Sequence, residues 1–268
     1  MKNYPNSTIE AKIITDSICY NCDRITTFQV RVPKWLLQEI ARHRVLSLCF
    51  NSSRAIPAKT IRKSATYTPL VWAKNKSGMS AVDELSGNFQ SLAELGWELG
   101  RLTSLWSHYL LEKSGLHKEY TNRVLEPYLM VDGVITATEW ENMLNLRMSK
   151  DAQPDFNTLA RMINTCLKSS EPTYIKVGDW HLPYITEEEK EREAINYDLR
   201  LISAARCARV SYGFQENFDI DKDEKRGKLL IKSKHYSPFE MVATPEAVKH
   251  NTANFKGWVQ YRDGLENK

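Results

Sequence analysis

The sequence predicts an α+β protein in which long helices pack against a small, mainly antiparallel sheet. Two observations carry that expectation. Residues 24–32 alternate apolar and polar side chains and are rich in β-branched types, the pattern of a half-buried strand, and residues 11–19 read as its neighbour. Residues 89–113 place Leu92, Leu95, Leu99, Leu102, Trp106 and Leu110 at helical spacing, and Gly115 ends the run. That stripe reads as core or as a subunit interface.

The remaining elements follow in order. Pro33 opens a helix at its favoured first-turn position, with Trp35, Leu36, Ile40 and Ala41 as the apolar stripe and Arg42 to Arg44 near its C-terminal end, where cations suit the helix dipole. Residues 64–88, with Pro69, Gly78 and Gly87, read as a long loop or lid. A helix is expected over 117–129. Thr136-Ala137-Thr138-Glu139 spells a capping box for a further helix with Trp140, Met143 and Leu144 on its inner face. Amphipathic helices follow at 156–169, 198–210 and 223–234, and Thr186-Glu187-Glu188-Glu189 caps a charged helix before the second of these. Phe239 to Thr244 reads as a short strand closed by Pro245.

With 268 residues, 42% of them hydrophobic, the chain can bury a sizeable core as one large domain or two small ones. No apolar run approaches the length that spans a bilayer, and Met1 to Pro5 lacks the apolar stretch of a signal peptide, so a cytoplasmic location is expected. The five cysteines do not suggest a disulfide framework. Cys19-Tyr20-Asn21-Cys22 has no second pair to complete a zinc site, since Cys49, Cys166 and Cys207 are scattered, and it reads as two reduced cysteines near a turn. The chain carries no H-E-x-x-H, Walker, G-x-G-x-x-G or G-x-S-x-G sequence, which removes the main signals of zinc proteases, nucleotide-driven motors, Rossmann dehydrogenases and serine hydrolases.

Net charge is only +4, but its distribution is uneven. Between Ile40 and Val82 there is no acid, while Arg42, Arg44, Arg54, Lys59, Arg62, Lys63, Lys74 and Lys76 are all basic. Such a stretch marks an anion-binding surface. An RNA-binding module would interleave exposed aromatics, whereas Phe50 is the one aromatic between Arg42 and Lys63, so a small phosphorylated ligand fits better. Within that stretch Arg42-His43-Arg44 is followed, after seven residues, by Ser52, Ser53 and Arg54. Hydroxyls, backbone N–H groups and a bidentate guanidinium are the usual parts of a phosphate cradle. His235-Tyr236-Ser237-Pro238-Phe239-Glu240 gathers a second polar set at a helix–strand junction, suited to ribityl or phosphate oxygens.

Arg42-His43-Arg44 with Ser52 resembles the signature of flavin-dependent thymidylate synthases, the ThyX family. Four further segments match. His235 to Glu240 resembles the family's H-x-[ST]-P-F-E segment, and Ala208-Arg209-Val210-Ser211-Tyr212 its A-R-V-S segment, both of which contact flavin. Asn122 to Pro127 resembles R-x-x-L-P, whose Arg grips the nucleotide, and Asn142 to Gln153 resembles N-x-x-x-L-R followed by A-Q, whose Arg holds the pyrimidine. The likeness covers roughly residues 24–167 and 199–262.

The resemblance implies conversion of dUMP to dTMP, with 5,10-methylenetetrahydrofolate as carbon donor and FAD reduced by NADPH. It implies Arg147 and Ser52 at the catalytic centre, with Ser52 in a binding rather than nucleophilic role. It places Arg42, His43, Arg44, Asn142, Ser211, His235, Ser237 and Glu240 on the flavin, and Glu39, Ser52, Ser53, Arg54, Arg123 and Arg147 on the nucleotide. It also implies a homotetramer with sites between subunits, and neither a metal nor a membrane partner. The segment order is unusual, because A-R-V-S and S-P-F-E normally precede R-H-R. This order implies a circularly permuted, phage-type relative acting in the host cytoplasm, with a core over 1–185 and a C-terminal segment over 186–268 that combine into one domain. A strand–helix unit then recurs at 24–44 and 243–262. Where the family has Gln, Glu, Asn, Arg and His, this chain has Glu39, Phe50, Thr136, Thr138 and Met241. Glu39 could accept a hydrogen bond from a cytosine amino group, which raises dCMP as an alternative substrate and a C5 methylase or hydroxymethylase for modified DNA as an alternative enzyme. A non-catalytic nucleic-acid-binding protein is the remaining alternative.

Overall fold

The computed structural model describes residues 8–77, 83–210, 218–246 and 254–266. Its centre is a five-stranded sheet in the order β3-β4-β2-β1-β5, built from β1 (Glu10–Ile18), β2 (Ile25–Pro33), β3 (Ser47–Phe50), β4 (Met130–Ala137) and β5 (Thr173–Tyr174). β1–β2, β2–β4 and β3–β4 are antiparallel, and only β5 joins parallel to β1. The expected α+β class, with its small and mainly antiparallel sheet, is what forms.

β4 is the strand the sequence pattern hides. All eight of its residues are buried, so it has no polar alternation to read. Gly133 is required within it, because a Cβ there would lie 2.1 Å from the Phe50 ring of the neighbouring strand. Burial of β4 removes the expected capping box: the Thr136 hydroxyl is shared with Thr27 (2.7 Å) and Met241, and Thr138 donates to the Asn254 carbonyl. The next helix, α5 (Glu141–Arg147), starts later, with Trp140 at its N-cap.

The two sheet faces carry different layers. Phe28, Val30, Val32 and Ile135 pack with Trp140, Met143 and with Phe156, Leu159 and Ile163 of α6 (Pro154–Ser169). On the other face Cys49 and Val134 meet Met241 and, from α8 (Leu199–Val210), Cys207 and Val210. α8 is tied in turn to α7 (Glu187–Glu193) and α9 (Ile220–Lys232) by a buried ion cluster around Arg206. The capping box at Thr186 and Glu189 forms as expected.

Other expectations need correction. Residues 117–129 form only the short α4 (Lys118–Thr121) and a 3-10 helix over Asn122–Tyr128, since Pro127 lacks an N–H and disfavours α-geometry in the residue before it. Ser237–Met241 is a 3-10 helix with Pro238 in its first turn, leaving β6 (Ala243–Pro245) as the strand. β6 pairs with β7 (Trp258–Gln260), which leads into α10 (Tyr261–Glu266). Cys19 and Cys22 are joined as a disulfide rather than reduced. The turn between β1 and β2 brings their Cα atoms to 5.1 Å, inside the range a bridge spans. Finally, α3 (Asn88–Lys113) forms over the expected span, and of the two readings of its stripe, core or subunit interface, only the first fails within one chain: Leu92 is 65% and Trp106 62% exposed.

One buried group has a consequence for stability. His181 is fully buried, with Nε2 2.7 Å from the Thr27 hydroxyl and Nδ1 2.9 Å from the Ser17 hydroxyl. Burial pushes its pKa down to about 3, against the opposing pull of Asp16. The folded state holds a neutral imidazole, whereas the unfolded chain takes up a proton below about pH 6.5. This contribution is therefore complete above that pH. It falls as pH drops from 6.5 towards 3, by roughly 1.4 kcal/mol per unit. Urea unfolding between pH 7 and 5 should show this slope in the wild type and lose most of it in His181→Gln. Equal slopes for the two proteins would overturn the assignment.

Candidate functional site

Arg42-His43-Arg44 sits in the turn after α1 (Leu37–Ile40), itself preceded by a 3-10 turn over Lys34–Leu36. Because the helix ends at Ile40, the three side chains are released from helical spacing. Arg42 and Arg44 point to solvent with no side-chain partner among the described residues, while His43 is buried.

His43 turns toward α5. Arg147 Nε donates to His43 Nε2 at 3.0 Å, so the imidazole proton sits on Nδ1. The same guanidinium reaches Glu39 at 3.5 Å and lies over the Phe156 ring, 4.5 Å from its centroid. His43 meets that ring edge-on at 5.6 Å. The turn of the chain behind Arg147 is held by Asn157, whose amide donates to the Arg147 carbonyl at 2.9 Å. Burial and the adjacent Arg147 charge hold the His43 pKa below its ordinary value. Residues more than a hundred positions apart thus converge on one guanidinium.

A second set forms beside it in sequence. Ser52 precedes a 3-10 turn over Ser53–Ala55 that leaves Arg54 exposed with no described partner. Ser53 is buried and donates to Glu126 at 2.6 Å; Glu126 also accepts from Arg123 at 2.9 Å. Asn122 donates to the Ser53 and Ile56 carbonyls, which locks this loop to the 3-10 segment carrying Arg123. The Asn51 side-chain oxygen is buried without a partner. Arg123 lines a cavity of about 800 Å³ with Lys34, Gln38, Trp35, Trp97 and Gln153. Burial depresses the Lys34 pKa, with the Glu126 carboxylate opposing.

The segment predicted to face flavin from the C-terminus lies elsewhere. His235 and Ser237 are exposed, His235 Nδ1 lies 2.7 Å from the Ser233 hydroxyl, and Glu240 is paired with Arg262. Met241 packs with Cys49 on the α8 face of the sheet, while His43 packs on Phe156 on the α6 face. Asn142 is exposed at the start of α5, and Ser211 lies outside the described residues. Sequence reasoning missed Phe156 and Asn157. Phe156 looked like an ordinary apolar position of an amphipathic helix, and Asn157, beside it on the same helix, gave no signal that it would reach back to α5. Among the described residues no group of three or more His, Cys, Asp or Glu could hold a metal ion, and no helix is long and apolar enough to cross a membrane.

Residues 25–173, more than half of the chain, match the model of the thymidylate synthase complementing proteins, and the chain belongs to that Thy1 family. Two similar solved structures are of a UMP/dUMP methylase, PolB, from Streptomyces cacaoi. The one bound with 5-Br UMP is 15% identical with a TM-score of 0.47, covering 60% of this chain and 89% of that one. The one bound with 5-Br dUMP is 15% identical with a TM-score of 0.48, covering 60% and 90%. No curated protein matches.

Proposed function

We propose that the chain is a flavin-dependent thymidylate synthase that converts dUMP to dTMP, taking its carbon from 5,10-methylenetetrahydrofolate and reducing power from NADPH through FAD. The observation that carries this reading is the convergence of Glu39, His43 and Arg147 from two separate signature segments. Arg147 holds the pyrimidine and stabilises negative charge that develops on it. Ser52, Arg54 and Arg123 form the phosphate side, with Ser52 supplying a binding hydroxyl rather than a nucleophile, while Ser53, whose hydroxyl is committed to Glu126, shapes the loop.

The donor set suits a flavin dinucleotide, because Arg42 and Arg44 are exposed guanidiniums with no described partner and can take up its phosphates. A second copy supplies His235, Ser237 and Glu240 from its C-terminal segment, and Asn142 and Ser211 complete the set. When bound, the flavin supplies the redox chemistry, and the chain binds and orients. His43 packs on Phe156 on the α6 face of the sheet and Met241, at the end of the second segment, on the α8 face, which favours a flavin shared between R-H-R of one copy and the 235–240 segment of another. The exposed α3 stripe, spaced three and four residues apart like a helix–helix seam, is the surface where copies meet in a homotetramer. The permuted order is then a rearrangement of parts that segments 1–185 and 186–268 rebuild as one folded unit.

A second reading has its own observation. Glu39 lies against Arg147, so a hydrogen-bond acceptor sits where the pyrimidine is read, which favours a cytosine amino group. The test uses the purified protein with FAD, NADPH, methylenetetrahydrofolate and either dUMP or dCMP. We expect flavin absorbance, the mass of an oligomer in solution, and a methylated product from dUMP by mass spectrometry. Product from dCMP alone would install the alternative. A colourless monomer that cannot be reconstituted with FAD would refute both.

A further inference from the structure

Arg147 is held from three sides, by His43, Glu39 and Phe156. We propose that His43, beyond any part it has in the flavin site, is a positioning residue that fixes the Arg147 guanidinium in its nucleotide-reading orientation by accepting its Nε–H as a neutral imidazole. This rests on the reading of Arg147 as the group that holds the pyrimidine.

The geometry supports this assignment. An Arg side chain has many rotamers, so an unrestrained guanidinium is a poor reader of a planar ring. Here its Nε–H is committed to His43 at 3.0 Å and one terminal nitrogen lies toward Glu39 at 3.5 Å. Its π-face is covered by Phe156. The other terminal nitrogen remains for the ligand. His43 is itself immobilised, because its ring is buried and meets the same Phe156 edge-on with planes at 90°. Phe156 therefore serves as a common platform for both side chains.

Protonation would undo this arrangement. An imidazolium has no lone pair on Nε2, and its charge would repel the guanidinium. The charged groups around His43 are Arg147 from α5 and, across Arg147, Glu39 from α1, whereas α6 presents the uncharged Phe156. Burial and the Arg147 charge both disfavour the imidazolium, so the clamp is intact at neutral pH and is released on the acid side of pH 6.5.

The experiment compares His43→Ala, His43→Gln and His43→Asn in the FAD-loaded full chain, with dUMP as probe. A Gln side-chain oxygen reaches the place of Nε2, and an Asn oxygen does not. We expect His43→Ala and His43→Asn to weaken dUMP binding at least tenfold when FAD is added until flavin absorbance per chain matches the wild type. His43→Gln should return affinity to within about threefold and remove its decline below pH 6.5. Equal affinities for Gln and Asn variants, or loss of FAD as the sole defect, would overturn the proposal. If the wild type binds neither dUMP nor dCMP, the functional reading fails instead. The clamp is then judged by NMR titration of the His43 ring: its pKa should rise toward the ordinary value in Arg147→Ala, and an unmoved pKa refutes the pairing.

Discussion

Arg147→Ala is expected to lower kcat/KM for nucleotide methylation by about 10²–10³-fold, the loss typical of removing one preorganised donor from a developing negative charge. The expectation comes from where Arg147 sits rather than from its charge alone. Its guanidinium is stacked on Phe156 and bonded to His43 and Glu39 before any ligand arrives, so no reorganisation is needed at the moment of reaction. Arg147→Lys should rescue little, because an ammonium cannot donate to His43, lie toward Glu39 and stack on a ring at once. Steady-state kinetics on the three proteins check this. A loss below tenfold for the Ala variant, or near-complete rescue by Lys, would remove Arg147 from the catalytic centre.

Asp223→Ala should cost about 3 kcal/mol or more of folding stability, because it leaves a buried guanidinium short of a charge. Both Asp223 and the Arg206 side chain are 1% exposed. Asp223 accepts from Arg206 at 3.0 Å and from Arg209 at 2.8 Å, while Arg206 also donates to Glu189 at 2.6 Å and to the Tyr184 carbonyl. The cluster joins α7, α8 and α9, so its loss loosens the layer that covers one face of the sheet. The exposed pair Lys190–Glu187 offers a contrast: its removal should cost less than about 1 kcal/mol. Urea unfolding of Asp223→Ala and Lys190→Ala measures both. A small effect at Asp223 would mean that Glu189 alone satisfies Arg206.

The two predictions draw on different parts of the chain, and those parts were unequally legible. Arg147 was visible as the end of an N-x-x-x-L-R segment, and the α6 helix beside it through its apolar period. Arg206 and Asp223 carried no sequence signal as partners, because a buried ion pair between two helices looks the same in sequence as two solvated charges. β4 escaped for a similar reason: a strand covered on both faces has no alternation. Its Thr136 and Glu139 then imitated a helix start. The α3 stripe is legible as apolar and helical, but periodicity cannot say whether such a face is covered by its own chain.

What the sequence determined by itself was local and compositional. Strand β2, helices α3, α6 and α8, the Thr186 cap, the one-sign basic stretch and the R-H-R signature all follow from neighbouring residues and their spacing. Family membership follows from them too. Only the tertiary structure decided that Cys19 and Cys22 are bridged, that His43 turns to Arg147, and that His43 and Met241 pack on opposite faces of one sheet. These are consequences of which faces are buried together. Burial is set by the packing of distant segments, so no local pattern encodes it.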